Sequence, residues 1–354
     1  MKYIPGLNGL RAIAVFLVIF FHWDFPPSTT SLFLKKVLPD GVFGVNLFFV
    51  LSGFLISAIL LIEKEKATAI PHQNKKIIVN FYVRRFLRIF PIYYLTLFIL
   101  YFSSMPDFHK NFIYYLTYTE NFNVFFKGSW DSFCHTWSLA VEEQFYLIWP
   151  FIIIFTNKNR LKYVLVFFIL LGPAFSIFQT VFLKPRLNAF VLPPSCFDAF
   201  AIGALIAFYY TENEMKTFKK WIKILLPFSG LLFIYWKLAP AGGHFQYFKR
   251  SSESIIASGL ILFCISNSYT QLRNKLLENR LMYQLGLVSY GIYLFHYSIP
   301  YFYLKAKTSL QISFGKYDLP IDYLIMLVIL LALAFLSYYL IEKPILSLKR
   351  RSNY

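Results

Sequence analysis

The chain has 354 residues, of which 58% are hydrophobic, 21% aromatic and only 15% charged. Soluble domains average about 45–50% apolar and about 25% charged residues, so this composition excludes an ordinary soluble domain and indicates an integral membrane protein. The formal net charge of +18 would suit a nucleic-acid-binding protein. A bilayer protein has another use for Lys and Arg, which set its topology, and we therefore expect no nucleic-acid partner.

Apolar runs of a length that crosses a bilayer recur along the whole chain. Such a run has roughly 17–25 residues, and its recurrence predicts an all-α fold, a polytopic membrane helical bundle of about ten transmembrane helices. No internal repeat or linker divides the chain, so we expect one membrane domain over residues 1–354. The expected spans are 7–23, 42–62, 89–103, 137–156, 161–183, 196–211, 222–236, 252–269, 281–304 and 321–341.

The distribution of Lys and Arg predicts the orientation of these spans. With a cytoplasmic N-terminus, one side of the membrane carries 22 of the 35 basic residues and the other carries 12, and Arg11 lies within the first run. Cytoplasmic loops carry the excess of Lys and Arg. An even number of spans then places both termini in the cytoplasm, with the lipid bilayer as an obligatory partner.

The first apolar run holds two ionisable residues, Arg11 and His22. Eleven helical steps of about 100° bring the two within roughly 20° of each other around the helix, and about 1.5 Å per residue separates them by roughly 16 Å along it. Ionisable residues inside a membrane usually face a bundle interior or a wet cavity and mark a site or a pathway. The spacing predicts that both face one polar intramembrane site.

Three arginines, Arg84, Arg85 and Arg88, end the cytoplasmic loop expected at 63–88. Arg84 and Arg88 share one face of any helix because they are four residues apart. Guanidinium groups bind phosphate bidentately, which suits the phosphates of a cofactor. Anchoring to anionic lipid headgroups would use the same charges. The charge pattern leaves both interpretations open.

Further polar residues lie within or beside the apolar runs. His135 and Glu142 are seven residues apart and share a helix face, so Glu142 could orient an imidazole; a structural ion pair is the alternative. Asp198 opens an expected span, where a carboxylate suits the helix dipole. His296 has the setting of a satisfied interior histidine, and Asn46 lies in apolar surroundings that favour close helix packing.

The expected outer loop at 104–136 is long, aromatic and polar, more than a connector needs. It could cover an external entrance, although an aromatic belt at the membrane surface would have the same composition. The three cysteines, Cys134, Cys196 and Cys264, form no Cys-x-x-Cys and accompany no zinc-type His spacing. We expect neither a disulfide framework nor a metal site.

Seven segments in chain order resemble motifs of the acyltransferase-3 family, the multi-span membrane O-acyltransferases that modify bacterial surface glycans. The resemblance runs from Ile4 to about Leu346, nearly the whole chain. The segments are IPGLNGLRAIAVFLVIFFHW, GVNLFFVLSGFLIS, RRFLRIFPIYY, HTWSLAVEEQFYLIWP, FDAFAIGALIA, SYGIYLFHYSIP and SYYLIEKPIL.

The resemblance implies an enzyme of the inner (plasma) membrane, an acyltransferase acting on groups other than amino-acyl groups. It implies acetyl-coenzyme A, supplied from the cytoplasm, as acyl donor and no permanently bound cofactor. The acceptor would be a hydroxyl of a cell-surface or extracytoplasmic polysaccharide or of its lipid-linked precursor. Glycan-assembly proteins are possible further partners.

The resemblance also implies roles for the residues that match its motifs. His22 would be the catalytic histidine, as general base or transient acyl carrier, and Arg11 would hold the donor or its charge. Glu142 would orient His22 or His135. The three arginines would bind coenzyme A phosphates. The residues expected to contact the acceptor substrate are His135, Asp198, His296 and Asn46.

The chain departs from its relatives at two positions and in its length. Asn46 stands where relatives often carry Asp, and Cys196 stands where Arg is common, so local contacts and acceptor recognition are expected to differ. Some relatives carry an additional C-terminal extracytoplasmic esterase-like domain, which we do not expect here, and the acyl group would pass directly to the acceptor or to a separate protein.

Two other classes of protein share some of these features. A glycan exporter or proton-coupled carrier also has about ten spans, charged residues within the membrane and clusters of basic residues at the openings of its pathway. A scaffold of a glycan-assembly complex would tolerate replacement of every ionisable residue.

Overall fold

The computed structural model describes residues 3–23, 36–67, 73–182, 189–238 and 246–351. All regular structure in these ranges is helical, which confirms the all-α fold class. Short 3-10 turns and one π-helical turn, Tyr338–Glu342, join the α-helices. The α-helices are α1 (Leu7–His22), α2 (Gly41–Ala67), α3 (Gln73–Tyr101), α4 (Phe108–Leu116), α5 (Glu120–Lys127), α6 (Trp137–Phe155), α7 (Lys158–Phe182), α8 (Phe197–Thr211), α9 (Met215–Leu238), α10 (Lys249–Ile265), α11 (Thr270–Leu277), α12 (Arg280–Leu287), α13 (Ser289–Phe295), α14 (Ser298–Ser309), α15 (Asp318–Ser337) and α16 (Lys343–Arg351).

Several of these helices have the length and hydropathy of membrane spans, so the chain is a membrane protein. Five in the described ranges pass both tests, and the bent pair Gln246–Ile265 and Asn267–Leu277 would make a sixth. Helices α1 and α8 are apolar but shorter. The expected count of about ten spans is therefore not confirmed. The five are Gly41–Ala67, Cys134–Phe155, Lys158–Phe182, Met215–Leu238 and Asp318–Ser347.

The expected span 281–304 is wrong as a single helix, because the structure divides it into α12, α13 and α14. The break between α13 and α14 falls at His296 and Tyr297. Apolar periodicity alone does not reveal such a break, since the residues on both sides are apolar. The break leaves His296 at the end of one short helix rather than in the middle of a long one.

The expected cytoplasmic loop at 63–88 is also largely helical. Helix α2 continues to Ala67, residues 68–72 lie outside the described residues, and α3 begins at Gln73. Ile77 and Phe81 are buried one turn apart and fix the orientation of this part of α3. The three arginines therefore project from a packed helix.

The expected outer loop at 104–136 contains two short helices, α4 and α5, joined by a polar network. The Asp131 carboxylate accepts hydrogen bonds from the Asn111 amide at 2.8 Å and the Asn123 amide at 3.2 Å, and pairs with Lys127. Buried polar groups are tolerated when they are paired in this way. The segment is thus a folded cap at one end of the bundle.

Helices α2 and α8 pack backbone to backbone through glycines on both helices. A Cβ atom added to Gly53 would lie 2.1 Å from the Phe200 carbonyl oxygen, and one added to Gly203 would lie 2.1 Å from the Val50 carbonyl oxygen. Small residues let membrane helices approach backbone to backbone. This contact fixes α2, which lines the candidate site on its other side.

The change Gly203→Ala tests this contact. The added methyl would meet backbone, which cannot move aside as a flexible side chain does, so we expect the free energy of unfolding to fall by about 1–3 kcal/mol. Thermal unfolding in detergent micelles measures the loss. Gly230→Ala is the control because a Cβ there meets open space; equal stability of the two variants would contradict the packing.

Candidate active site

The break between α13 and α14 brings His296 against His22 at the end of α1. The two facing ring nitrogens, His22 Nδ1 and His296 Nε2, lie 3.1 Å apart. The other ring nitrogen of His296, Nδ1, lies 2.6 Å from the backbone carbonyl oxygen of Tyr293. His296 is completely buried, whereas His22 remains partly exposed.

These contacts determine which nitrogens carry protons. A carbonyl oxygen only accepts hydrogen bonds, so His296 Nδ1 is the protonated nitrogen of that ring and, in a neutral ring, Nε2 is the acceptor. His22 Nδ1 must then be the donor of the His22–His296 hydrogen bond. The lone pair of a neutral His22 is left on Nε2, the nitrogen available to a substrate.

A further hydrogen bond holds the histidine pair in place. The Trp23 indole nitrogen donates to the backbone carbonyl of His296 at 2.9 Å, which ties the end of α1 to the helix break. The His22 and His296 ring centroids lie 5.1 Å apart. A group whose orientation is fixed by its neighbours loses less entropy when it reacts.

His135 is the third histidine of this cluster and lies in the 3-10 turn that precedes α6. Its ring centroid is 4.8 Å from that of His296, and it stacks nearly parallel on Tyr297 at 5.1 Å. His135 is buried, yet neither of its ring nitrogens has a hydrogen-bond partner among the described residues. Such a group is expensive to bury unless something pairs with it, which makes His135 a candidate binding position.

A cavity of about 640 Å³ opens beside these histidines. Its lining includes His22 and His135 and is otherwise mostly aromatic and small. We call it the histidine cavity. It is lined by Phe21, His22, Gly41, Val42, Val45, Gly128, Trp130, Cys134, His135, Trp137, Phe190, Tyr293 and Tyr297.

A second, smaller cavity of about 80 Å³ lies further along α1 and α3, and we call it the arginine cavity. Five charged side chains line it: Arg11, Arg85, Arg88, Glu142 and Glu143. Glu142 accepts hydrogen bonds from the hydroxyls of Ser52 and Tyr146. The Arg85 guanidinium lies 5.2 Å from the centroid of the Tyr146 ring, within cation–π range.

The two cavities share two lining residues, Val45 and Tyr293. The Tyr293 hydroxyl donates to the His135 carbonyl oxygen at 3.0 Å and lies 2.5 Å from the Ser138 hydroxyl, so its ring is held across the junction. On the other side, Arg11 also lines a cavity of about 290 Å³ together with Arg84 and Glu63. Three cavities thus follow one another from the basic end of the bundle to the histidines.

Comparison with known protein families matches residues 4–339 to the model of the acyltransferase domain called Acyl_transf_3. The chain belongs to this acyltransferase family. The match covers nearly the whole chain and includes every helix that carries the site.

Several bacterial O-acetyltransferases resemble this acyltransferase domain in sequence. The peptidoglycan O-acetyltransferase OatA of Listeria monocytogenes is 30% identical over 327 residues, which cover 84% of the chain and 49% of OatA. A putative peptidoglycan O-acetyltransferase of Bacillus subtilis, YrhL, is 29% identical and covers 97% of the chain and 55% of YrhL. The chain therefore spans about half the length of these relatives. No solved structure matches it.

The structure places most of the predicted site residues of this acyltransferase domain in or beside the histidine and arginine cavities. His22 and His135 line the histidine cavity, and His296 hydrogen-bonds His22. Arg11, Arg85, Arg88 and Glu142 line the arginine cavity, whereas Arg84 lies further out. Arg11 and His22 thus face one connected space from the same helix, as their spacing predicts.

The expected contact of Glu142 with a histidine is wrong in this structure. Glu142 lines the arginine cavity and is bonded to Ser52 and Tyr146, while His135 lies in the turn before α6 and belongs to the other cavity. The helical spacing argument fails because the regular helix begins only at Trp137. The role expected of the Glu142 carboxylate, to orient His22, is instead filled by His296, which is itself oriented by the Tyr293 carbonyl.

Asp198 and Asn46 line neither cavity and instead connect helices. Asp198 accepts a hydrogen bond from the Ser251 hydroxyl at 2.5 Å, joining α8 to α10, and Asn46 donates to Glu253, joining α2 to α10. Their place in these helix contacts gives no support to the expected acceptor contact.

Sequence reasoning missed Tyr293, Trp23 and Trp130. Tyr293 lies three residues before His296 and so on the same helical face, a signal that the SYGIYLFH segment already contained. Trp23 follows His22 directly. Trp130 had no comparable signal, because its place depends on how the folded cap packs on the bundle.

The change Asp198→Ala tests the structural role of that carboxylate. It would leave the Ser251 hydroxyl and the Ala199 amide, both bonded to Asp198, without their acceptor, and we expect a loss of about 1–3 kcal/mol in unfolding free energy. The Michaelis constant for acceptor should not change. Thermal unfolding and acceptor kinetics are measured on the same preparation. A raised acceptor KM at unchanged stability would indicate that Asp198 contacts the acceptor after all.

Proposed function

We propose that this chain is a membrane O-acyltransferase that transfers an acetyl group from cytoplasmic acetyl-coenzyme A to a sugar hydroxyl of peptidoglycan, of another extracytoplasmic polysaccharide or of its lipid-linked precursor. The observation that supports this most is the junction of the arginine cavity with the histidine cavity at Val45 and Tyr293. One cavity suits an anionic donor and the other holds a base.

The arginines suit the donor because coenzyme A carries several phosphates. Arg84 lies at the outer 290 Å³ cavity and Arg85 and Arg88 line the inner one, so the guanidinium groups follow the path of the cavities. Arginine binds phosphate bidentately. The inner cavity, about 80 Å³, is smaller than the outer one. The phosphates would therefore stay at the basic end while the acetyl group advances.

His22 would act as the general base. Its Nε2 lone pair takes the proton of the acceptor hydroxyl while the hydroxyl oxygen attacks the thioester carbon. The new C–O bond forms, the C–S bond breaks, and coenzyme A leaves as a thiolate that takes a proton from His22. General base catalysis of this kind is worth about 10²–10⁴-fold in rate.

The orientation and the acceptor follow from other observations. The excess of basic residues on one side supports a cytoplasmic position for the arginine end and an extracytoplasmic position for the histidine cavity, in the plasma (inner) membrane. The Listeria relative is a peptidoglycan O-acetyltransferase and the Bacillus relative is a putative one, which supports a glycan acceptor here.

The first test is coenzyme A release from acetyl-coenzyme A by the protein in nanodiscs with a host glycan extract. We expect His22→Ala to lower kcat at least 10²-fold because it removes the base, and Arg88→Gln to raise the KM for acetyl-coenzyme A. The control is Arg160→Gln, an exposed arginine of α7 that lines none of the three cavities.

Two outcomes would contradict the proposal. Passage of labelled glycan across the membrane without coenzyme A release would indicate a transporter. Full activity of His22→Ala would remove the assigned base. Transfer of label to His22 in the absence of acceptor would show an acyl carrier and replace the general-base step.

A second test addresses the tautomer of His22. The change His296→Gly removes the acceptor that holds His22 Nδ1–H, so we expect kcat to fall about 10–100-fold. The KM for acetyl-coenzyme A should stay unchanged, because the residues expected to bind the donor are not altered. Added imidazole should restore part of kcat by occupying the vacated space. His109→Gly, on α4 and away from the site, is the control. A loss that imidazole does not rescue would indicate a purely structural role.

A further inference from the structure

One wall of the histidine cavity is formed by three aromatic rings from three different segments. Trp130 comes from the folded cap, Trp137 from the start of α6, and Phe190 from the first of two 3-10 turns before α8. The Phe190 ring centroid lies 5.9 Å from that of Trp130 and 5.7 Å from that of Trp137. Trp137 is buried, whereas Trp130 remains 46% exposed. The Trp130 indole is therefore the part of this wall that a ligand can cover.

Trp130 is held between two fixed points rather than on a loose loop. Gly128 ends α5 with a positive φ of 70°, the left-handed conformation that glycine adopts without strain. Asp131, the next residue after Trp130, is anchored by Asn111 and Asn123. An aromatic side chain positioned in this way binds with little loss of entropy.

The charges of the two cavities are segregated. Five charged side chains line the arginine cavity. Of the described residues that line the histidine cavity, none is Asp, Glu, Lys or Arg. The Arg250 guanidinium lies 5.8 Å from the Phe190 ring centroid but donates hydrogen bonds to the Phe190 and Ser195 carbonyl oxygens. An anionic group placed in the cavity would therefore lose its water with no charged lining residue to replace it. The lining therefore favours a neutral ligand.

A neutral pyranose ring matches this lining. One face of such a ring presents C–H groups that stack on an aromatic ring, and its edge presents hydroxyls that need hydrogen-bond partners. The unpaired ring nitrogens of buried His135 and the lone pair on His22 Nε2 supply partners within the same cavity. We propose that an uncharged sugar residue of the acceptor stacks on Trp130, with its reacting hydroxyl toward His22 and a neighbouring hydroxyl toward His135.

This inference rests on the proposed acyl transfer and is tested by acceptor kinetics in nanodiscs. The acceptors are a neutral N-acetylglucosamine tetramer and a uronic-acid tetramer of the same length. Trp130→Leu keeps an apolar side chain and removes the stacking surface, and Trp130→Phe keeps a smaller aromatic ring. Trp221→Leu, at an exposed position of α9, is the matched control.

We expect Trp130→Leu to raise the KM for the neutral tetramer about threefold to tenfold, the range that an aromatic contact is worth. Trp130→Phe should recover most of the affinity, and the control should match the wild type. The KM for acetyl-coenzyme A should stay unchanged, because Trp130 does not line the arginine cavity. A misfolded variant would instead show a lowered thermal unfolding temperature, and the comparison is then made with Trp130→Phe.

Three results would overturn the inference. They are an unchanged acceptor KM in Trp130→Leu, an equal effect of Leu and Phe at this position, and preference of the wild type for the uronic-acid tetramer. Each of them leaves coenzyme A release by the wild type intact. Absence of any such release would instead contradict the proposed acyl transfer itself, so the two failures are distinguishable.

Discussion

The hydrogen bond between His22 and His296 is the constraint on which the candidate site depends. It needs a helix that stops at His296, because only there does the ring face the end of α1 while its other nitrogen reaches the Tyr293 carbonyl. The Trp23 indole binds the carbonyl of His296 and holds the break in place. A backbone carbonyl thereby sets the tautomer of two histidines in succession, a task that catalytic triads give to a carboxylate.

The separation of charge along the bundle follows from the same arrangement. Arginines and carboxylates can share the arginine cavity because Glu142 and Glu143 lie among three guanidinium groups, and the hydroxyls of Ser52 and Tyr146 bind Glu142. The histidine cavity has an aromatic lining instead. Tyr293, which lines both, stands where an anionic donor would meet a neutral acceptor. Under the proposed function, such a division would keep the phosphates of the donor away from the acceptor side without a moving gate.

Particular residues show how far sequence patterns reach. The eleven-residue spacing of Arg11 and His22 correctly predicts that both face one connected space, because α1 is regular between them. The seven-residue spacing of His135 and Glu142 fails because the regular helix begins two residues after His135. Asp198 and Asn46 have the polarity expected of a site but are used to join helices. A polar residue within an apolar run needs a buried hydrogen-bond partner, but the sequence does not show whether that partner is a ligand or a neighbouring helix.

The sequence by itself determined the class of the protein, its helical fold and its family, since these depend on composition, short-range periodicity and motifs. It also singled out the histidines and arginines that form the candidate site. Only the tertiary structure showed which of these histidines and arginines contact one another or line the same cavity. The break at His296 is held by contacts between segments more than 100 residues apart in the chain, such as Trp23 with His296 and Tyr293 with His135. Trp130 packs on Phe190, which is 60 residues away. Local patterns do not encode such contacts, because they depend on how helices pack rather than on how each helix forms.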